Sequence, residues 1–210
     1  MVYLLKRNFY MKKRTAFISA ILSLVPLGQP LLIKTGLVLS SSAVILSLPE
    51  KLYAENVDYY LSQLEEIYQT KGEEYKTIFY ANEILKLNPN SLDGYWYRAY
   101  AMAEIKRYYE AIADYSKAIA LGDNDSNTFN NRGFAKHNLG DYYGAISDFN
   151  KAIEINPNNG LAYSNRGISL GIGFKDDEGA CNDFKKAAIL GNQYRIMWLD
   201  SSEGKWCKDI

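Results

Sequence analysis

Apolar and small residues recur with a step of 34 along residues 92–193. At that step Tyr95 is followed by Phe129 and Tyr163, Ala99 by Gly133 and Gly167, Ala111 by Ala145, and Ala118 by Ala152. Residues 126–159 are the cleanest copy. There Phe129, Leu139, Tyr142, Ile146, Phe149, Ile153 and Ile155 fall at helical spacing. Gly140-Asp141 interrupts the run in its middle, and Asn156-Pro157-Asn158 ends it, because proline has no amide proton and clashes with the preceding turn. The pattern predicts helix, turn, helix, stop. Gly133 on the first helix, with Ala145 and Ala152 on the second, lets the two approach closely. Such a pair leaves one apolar face bare until a neighbouring unit covers it, so the units must stack.

Copies of decreasing fidelity flank this one. Residues 58–91 form a worn first unit: Leu61, Leu64, Tyr68, Gly72, Leu87 and Pro89 keep the register, but Thr77 and Ile84 stand where later copies have alanine. Residues 92–125 form the second unit, closed by Gly122 rather than by proline, and 160–193 the fourth. In the fourth, one extra residue between Gly167 and Ala180 predicts a remodelled turn. Residues 194–210 are too short for another unit.

The sequence resembles the tetratricopeptide repeat family on Phe129, Gly133, Ala145, Ala152 and Pro157, which occupy that family's aromatic, small and proline positions. The resemblance covers about residues 58–193. It implies an all-α, right-handed superhelical solenoid of stacked helix-turn-helix repeats. It also implies a capping helix over residues 194–200, with Trp198 on the last repeat, and a function in binding proteins rather than in catalysis.

Residues 1–14 carry five basic groups and no acid, residues 15–33 carry no charge, and after Lys34 the uncharged run continues to Pro49. A basic head before an apolar stretch is the layout of an export signal. Two readings stand: a signal peptide cut after Ala54, or a membrane anchor within residues 15–48, where about 20 apolar residues are needed for one span. In both, residues 1–54 end in a short linker near 50–57, Met1 or Met11 is the start, and the repeats lie on the non-cytoplasmic side, since basic flanks stay in the cytoplasm.

Charge sharpens this division. Seven of the 24 basic residues and one of the 24 acidic ones lie in residues 1–54, so the remainder carries 17 against 23, a net of −6. An acidic body without a basic stripe argues against nucleic acid. Two cysteines and one histidine cannot assemble a four-ligand zinc site, so neither metal nor cofactor is expected. No phosphate-binding loop or nucleophile motif is present, and no catalytic residue is assigned.

Three sets of residues remain. Arg98, Arg132 and Arg166 recur at 34-residue steps, and Asp114, Asp148 and Asp183 accompany them; the first unit has Leu64 and Tyr80 instead. Joint loss predicts that they touch, as a ladder of interhelical ion pairs, the alternative being an arginine row that captures an acidic peptide. In repeats of this family the first helix lines the concave surface, which implies a partner-binding groove of Trp96, Tyr100, Glu104, Asn130, Phe134, His137, Ser164 and Ile168. Trp96 packing on a neighbouring helix is the competing assignment. Cys181 and Cys207 form either a disulfide tying the cap to the last repeat or two small apolar fillers. Closing that loop adds about 3 kcal/mol in the chain-entropy model. Two functions follow from the family: a scaffold that docks a peptide or helix in the groove, and an assembly subunit of a membrane complex that uses its convex face or ends.

Overall fold

In the computed structural model, residues 50–208 are described, with side chains from 56 to 207. The expected leader, residues 15–48, lies outside them. The described residues fold into nine α-helices and a closing 3-10 turn: α1 (Glu50–Ile67), α2 (Glu74–Leu87), α3 (Leu92–Glu104), α4 (Tyr108–Ala120), α5 (Ser126–Asn138), α6 (Tyr142–Ile155), α7 (Gly160–Phe174), α8 (Asp177–Ile189), α9 (Gln193–Asp200) and Lys205–Lys208. Each helix packs on the next, and α3–α5 and α5–α7 also touch. The first helices of successive hairpins therefore meet along one side of the stack, which we call the inner face.

Start and stop signals account for the regular boundaries. Ser91, Asp125, Asn159 and Asn192 cap α3, α5, α7 and α9, each accepting a hydrogen bond from a first-turn amide. Between the helices of a hairpin the chain turns through a left-handed residue, Gly72, Lys106 or Gly140. In the fourth repeat α7 runs on to Phe174 and the left-handed residue is Lys175, which absorbs the extra residue. Gly173 on that extension lies so close to α6 that an added Cβ would sit 2.6 Å from the Tyr142 ring. The start of the domain departs from the sequence expectation. Residues 50–57, expected as a linker, belong to α1, and the cut expected after Ala54 falls inside that helix. No proline or glycine interrupts residues 50–67, so nothing stops the helix there.

The second, third and fourth hairpins close by setting a small residue against a ring. A Cβ on Gly133 would lie 2.7 Å from Phe149 Cε1, and one on Gly167 would lie 2.6 Å from Phe184 Cε1. Ala99 and Tyr115 occupy the same positions in the second repeat and share one buried cluster. The first repeat uses another solution, with Leu61, Leu64, Ala81 and Ile84 buried together and Tyr80 packed against them. At the far end α9 packs on α8, Trp198 meets Phe184 edge-on at 5.0 Å, and the buried Cys181 and Cys207 are disulfide-bonded.

Tyr115 is fully buried, and although its hydroxyl lies beside Asn131, no hydrogen bond of acceptable geometry forms. Phenylalanine serves at this position in the next two repeats. Tyr115→Phe is therefore expected to keep or raise stability, by up to about 1 kcal/mol, because it removes an unsatisfied buried hydroxyl. Urea unfolding of the two proteins checks this; a clear loss would show that the hydroxyl is bonded after all.

Candidate partner-binding face

The three arginines sit one residue before the small position of α3, α5 and α7, which turns their side chains toward the second helices. Arg98 donates from Nε to Asp114 Oδ2 at 2.6 Å and from Nη2 to Oδ1 at 2.8 Å. Arg132 grips Asp148 in the same way at 2.9 and 2.6 Å, and Arg166 grips Asp183 at 2.8 and 2.7 Å. The third arm reaches the second helix of the preceding repeat: Nη1 donates to Asn82 Oδ1, Ser116 Oγ and Asn150 Oδ1 at 2.8, 3.1 and 2.7 Å. Asn82, Ser116 and Asn150 are themselves 34 residues apart, a periodic signal that the sequence reading did not use. Each guanidinium thus clips three helices together and lies over its own repeat's ring, Tyr95, Phe129 or Tyr163, at 5.5–5.6 Å. Bonding to the aspartates holds Arg98 and Arg166 above the ordinary arginine range. With every carboxylate-facing arm engaged, these arginines are joints of the stack rather than a row awaiting an acidic peptide.

The residues expected to line the groove divide into two groups. Trp96 stacks on Tyr100 at 5.7 Å and 11°, and the Tyr68 ring meets Trp96, Tyr97 and Tyr100 edge-on at 5.8, 5.1 and 5.6 Å. The Trp96 indole also donates to Thr128 Oγ1 on α5 at 2.9 Å, so it packs on the neighbouring helix as well. Phe134 is 42% exposed, Glu104 is exposed and Ile168 is partly buried. Asn130 and Ser164, by contrast, are buried at 5% and 6% exposure and bond to the next repeat. Asn130 Oδ1 accepts from Asn165 Nδ2 at 2.9 Å, and Ser164 Oγ accepts from Arg195 Nε at 2.7 Å. They are corrected from contact residues to inter-repeat ties, because the position after the aromatic slot faces the following first helix. Tyr68, Tyr97, Thr128 and Arg195 were not anticipated, since each meets this face only through the stacking of neighbouring units.

His137 Nδ1 lies 2.8 Å from Ser169 Oγ. The Ser169 hydroxyl donates to the Asn165 carbonyl at 3.1 Å, so the ring nitrogen is the donor in the pair. A general base would have to accept from that hydroxyl, so the pair points the wrong way for nucleophile activation. An open cleft of about 490 Å³ at the loop edge is lined by amides of Asn127, Asn156, Asn158, Asn159, Asn192 and Gln193 and by no titratable side chain. Among the described residues no group of three His, Cys, Asp or Glu gathers as a metal site, and no helix is long and apolar enough to cross a membrane.

Residues 126–159 match the family model described as tetratricopeptide repeat. That segment is similar to a tetratricopeptide repeat. Solved structures share the fold around it. A MamA protein matches at 24% identity and a TM-score of 0.58, over 68% of this chain and 77% of that one. Pseudomonas aeruginosa pilF matches at 20% identity and 0.58, over 67% of this chain and 63% of that one. The Thermobaculum terrenum O-GlcNAc transferase matches at 20% identity and 0.59, over 68% of this chain and 27% of that one. Such identities establish likeness of fold. Comparison with curated protein sequences gives no match. Tetratricopeptide repeats generally mediate contacts between proteins, and scaffolds of this kind are typically not enzymes, although the transferase shows that the fold also occurs within one.

Two outcomes follow for the ladder and the histidine. Asp148→Ala, which strands Arg132 and Lys136, should cost about 3 kcal/mol, since both cations contact that carboxylate. The joint change Arg132→Leu with Asp148→Tyr, copying Leu64 and Tyr80, should recover most of the loss in the same urea titration. Burial holds His137 below its ordinary 6.5, so the unfolded chain takes up the proton more readily. Its contribution is therefore complete above about pH 6.5 and is lost as pH falls through the lower folded value. Because His137 is the chain's only histidine, His137→Gln should flatten the pH dependence of the unfolding midpoint just below about pH 6.5.

Proposed function

We propose that this chain is a non-enzymatic adaptor whose inner face takes an extended segment or a helix of a partner protein. The observation that carries this reading is the aromatic cluster of Tyr68, Trp96, Tyr97 and Tyr100, continued on α5 by the exposed Phe134. Rigid rings present a large contact area at small entropic cost. In this reading the stack has the right-handed superhelical curve of its family. Residues 1–54 deliver or anchor it, so that the repeats work on the non-cytoplasmic side of a membrane, and the disulfide suits an oxidising compartment.

A second reading, an assembly subunit that uses the outer face, has its own support. Tyr75, Tyr109 and Tyr143 recur at 34-residue steps on the second helices and are 71%, 76% and 79% exposed. Site-specific photo-crosslinking separates the two. A photoreactive residue at Phe134 should capture the partner and one at Tyr109 should not. The pair Tyr100→Ala with Phe134→Ala should abolish capture while leaving the helical circular dichroism intact; Trp96 is spared because its indole ties α3 to α5. Capture from Tyr109 alone would replace the groove with the outer face.

A further inference from the structure

The side of α3 left open by its neighbours carries one stripe. Arg98 and Ala99 face α4, where they meet Asp114 and Tyr115, and Gly94 abuts Leu85 and Ile84 of α2. Tyr97 packs against the Leu61 and Leu64 cluster of α1. What remains is Trp96, Tyr100 and Glu104, four residues apart and therefore one turn above another. The two rings of this stripe lie parallel, and Tyr68 meets both edge-on from just beyond α1. All three rings stay partly open, and Glu104 is exposed.

Charge along this stripe has one sign. Among the residues expected to line the groove, Glu104 is the one with a formal charge at neutral pH. Glu83, Glu110 and Glu154 are matched by the nearby Lys86, Arg107 and Lys151, whereas no cation of the described residues lies within ion-pair distance of Glu104. Burial first, and then the carboxylates of Glu104 and Glu74, hold the Tyr100 hydroxyl above its ordinary range, so a negative field reaches the rings. The surrounding repeat region adds to it with a net charge of −6. Ring faces are themselves electron-rich and attract a cation, tryptophan most strongly. An acidic segment would be repelled by ring faces and carboxylate together, and a neutral one would gain apolar contact alone.

We propose that Trp96, Tyr100 and Glu104, with Tyr68, form a site for one basic side chain, lysine or arginine, of the segment bound on the inner face. The site rests on the groove reading and adds the chemistry that the partner must bring. The aliphatic stem lies along the rings, and the charge sits between ring face and carboxylate.

The full chain, labelled with nitrogen-15, is titrated with four alanine pentapeptides, acetylated and amidated, that carry lysine, arginine, norleucine or glutamate at the centre. The three tryptophans give three indole signals, and that of Trp96 is identified by its absence from Trp96→Phe. The basic peptides should shift the Trp96 indole and leave those of Trp198 and Trp206 in place. They should bind several fold, up to about thirtyfold, more tightly than the norleucine peptide of matching stem. The glutamate peptide should not respond, and the tighter of the two basic peptides names the side chain. Glu104→Gln should weaken the basic peptides about two- to fivefold, a difference that shrinks as salt is added, and leave norleucine unchanged. Tyr100→Leu, which keeps apolar bulk but loses the ring, should weaken them at least about threefold. Should that variant lose its helical circular dichroism, the exposed change Glu104→Gln still decides. Equal binding of basic and norleucine peptides, a Trp96 indole that does not move, or unchanged binding to Glu104→Gln overturns the site. Its failure with capture at Phe134 intact leaves the groove to an uncharged partner; selectivity for the basic peptides without capture at Phe134 keeps the site and removes the groove.

Discussion

Close approach of the two helices within each hairpin is the constraint on which this structure depends. At Gly133 and Gly167 there is no room for even a Cβ, because the Phe149 and Phe184 rings occupy that space. Once the backbones are this near, the side chains just before the small positions can reach the second helix, which is what allows Arg132 and Arg166 to grip Asp148 and Asp183 with two bonds each. A residue larger than alanine would push the helices apart and lengthen both bonds; Ala99 is accommodated in the second repeat, where Arg98 still grips Asp114 at 2.6 and 2.8 Å. The apolar contact therefore sets the geometry, and the ion pair makes it specific.

The ladder shows how polar groups are admitted into such an interface. An ion pair taken out of water returns little net stability, but removing one partner leaves a stranded charge. Here all three pairs are satisfied on several sides, by aspartate, by a polar residue of the preceding repeat and by a ring face. In the first repeat both members are lost together, to Leu64 and Tyr80, which join one apolar cluster. The two solutions are interchangeable only as pairs. Arg195 differs: among the described residues no carboxylate pairs with it, and it bonds to Ser164 and lies over three rings instead.

The inner face is built from what the stack leaves over. On the second repeat the leftover is aromatic, with Tyr68 of the preceding repeat folded into it. On the third and fourth it is mostly consumed by ties between repeats, Asn130 to Asn165, His137 to Ser169 and Ser164 to Arg195. The surface open to a partner is therefore concentrated at α3 and Phe134.

By itself the sequence determined the repeat, its four units, the stops, the small positions of the hairpins and that the arginines and aspartates touch, because these follow from a period of 34, from helical spacing and from their joint loss in the first unit; that each pair forms within one repeat was decided by the structure. Periodicity locates residues that do the same job in every unit. It could not show that residues 50–57 continue a helix, since an unbroken polar stretch has no repeat to be compared with. Nor could it separate Trp96 from Asn130 and Ser164, which occupy one position but differ in what the next first helix offers: Thr128, Asn165 or Arg195. Burial at that position is a property of two neighbouring units together, and only their packing decided it.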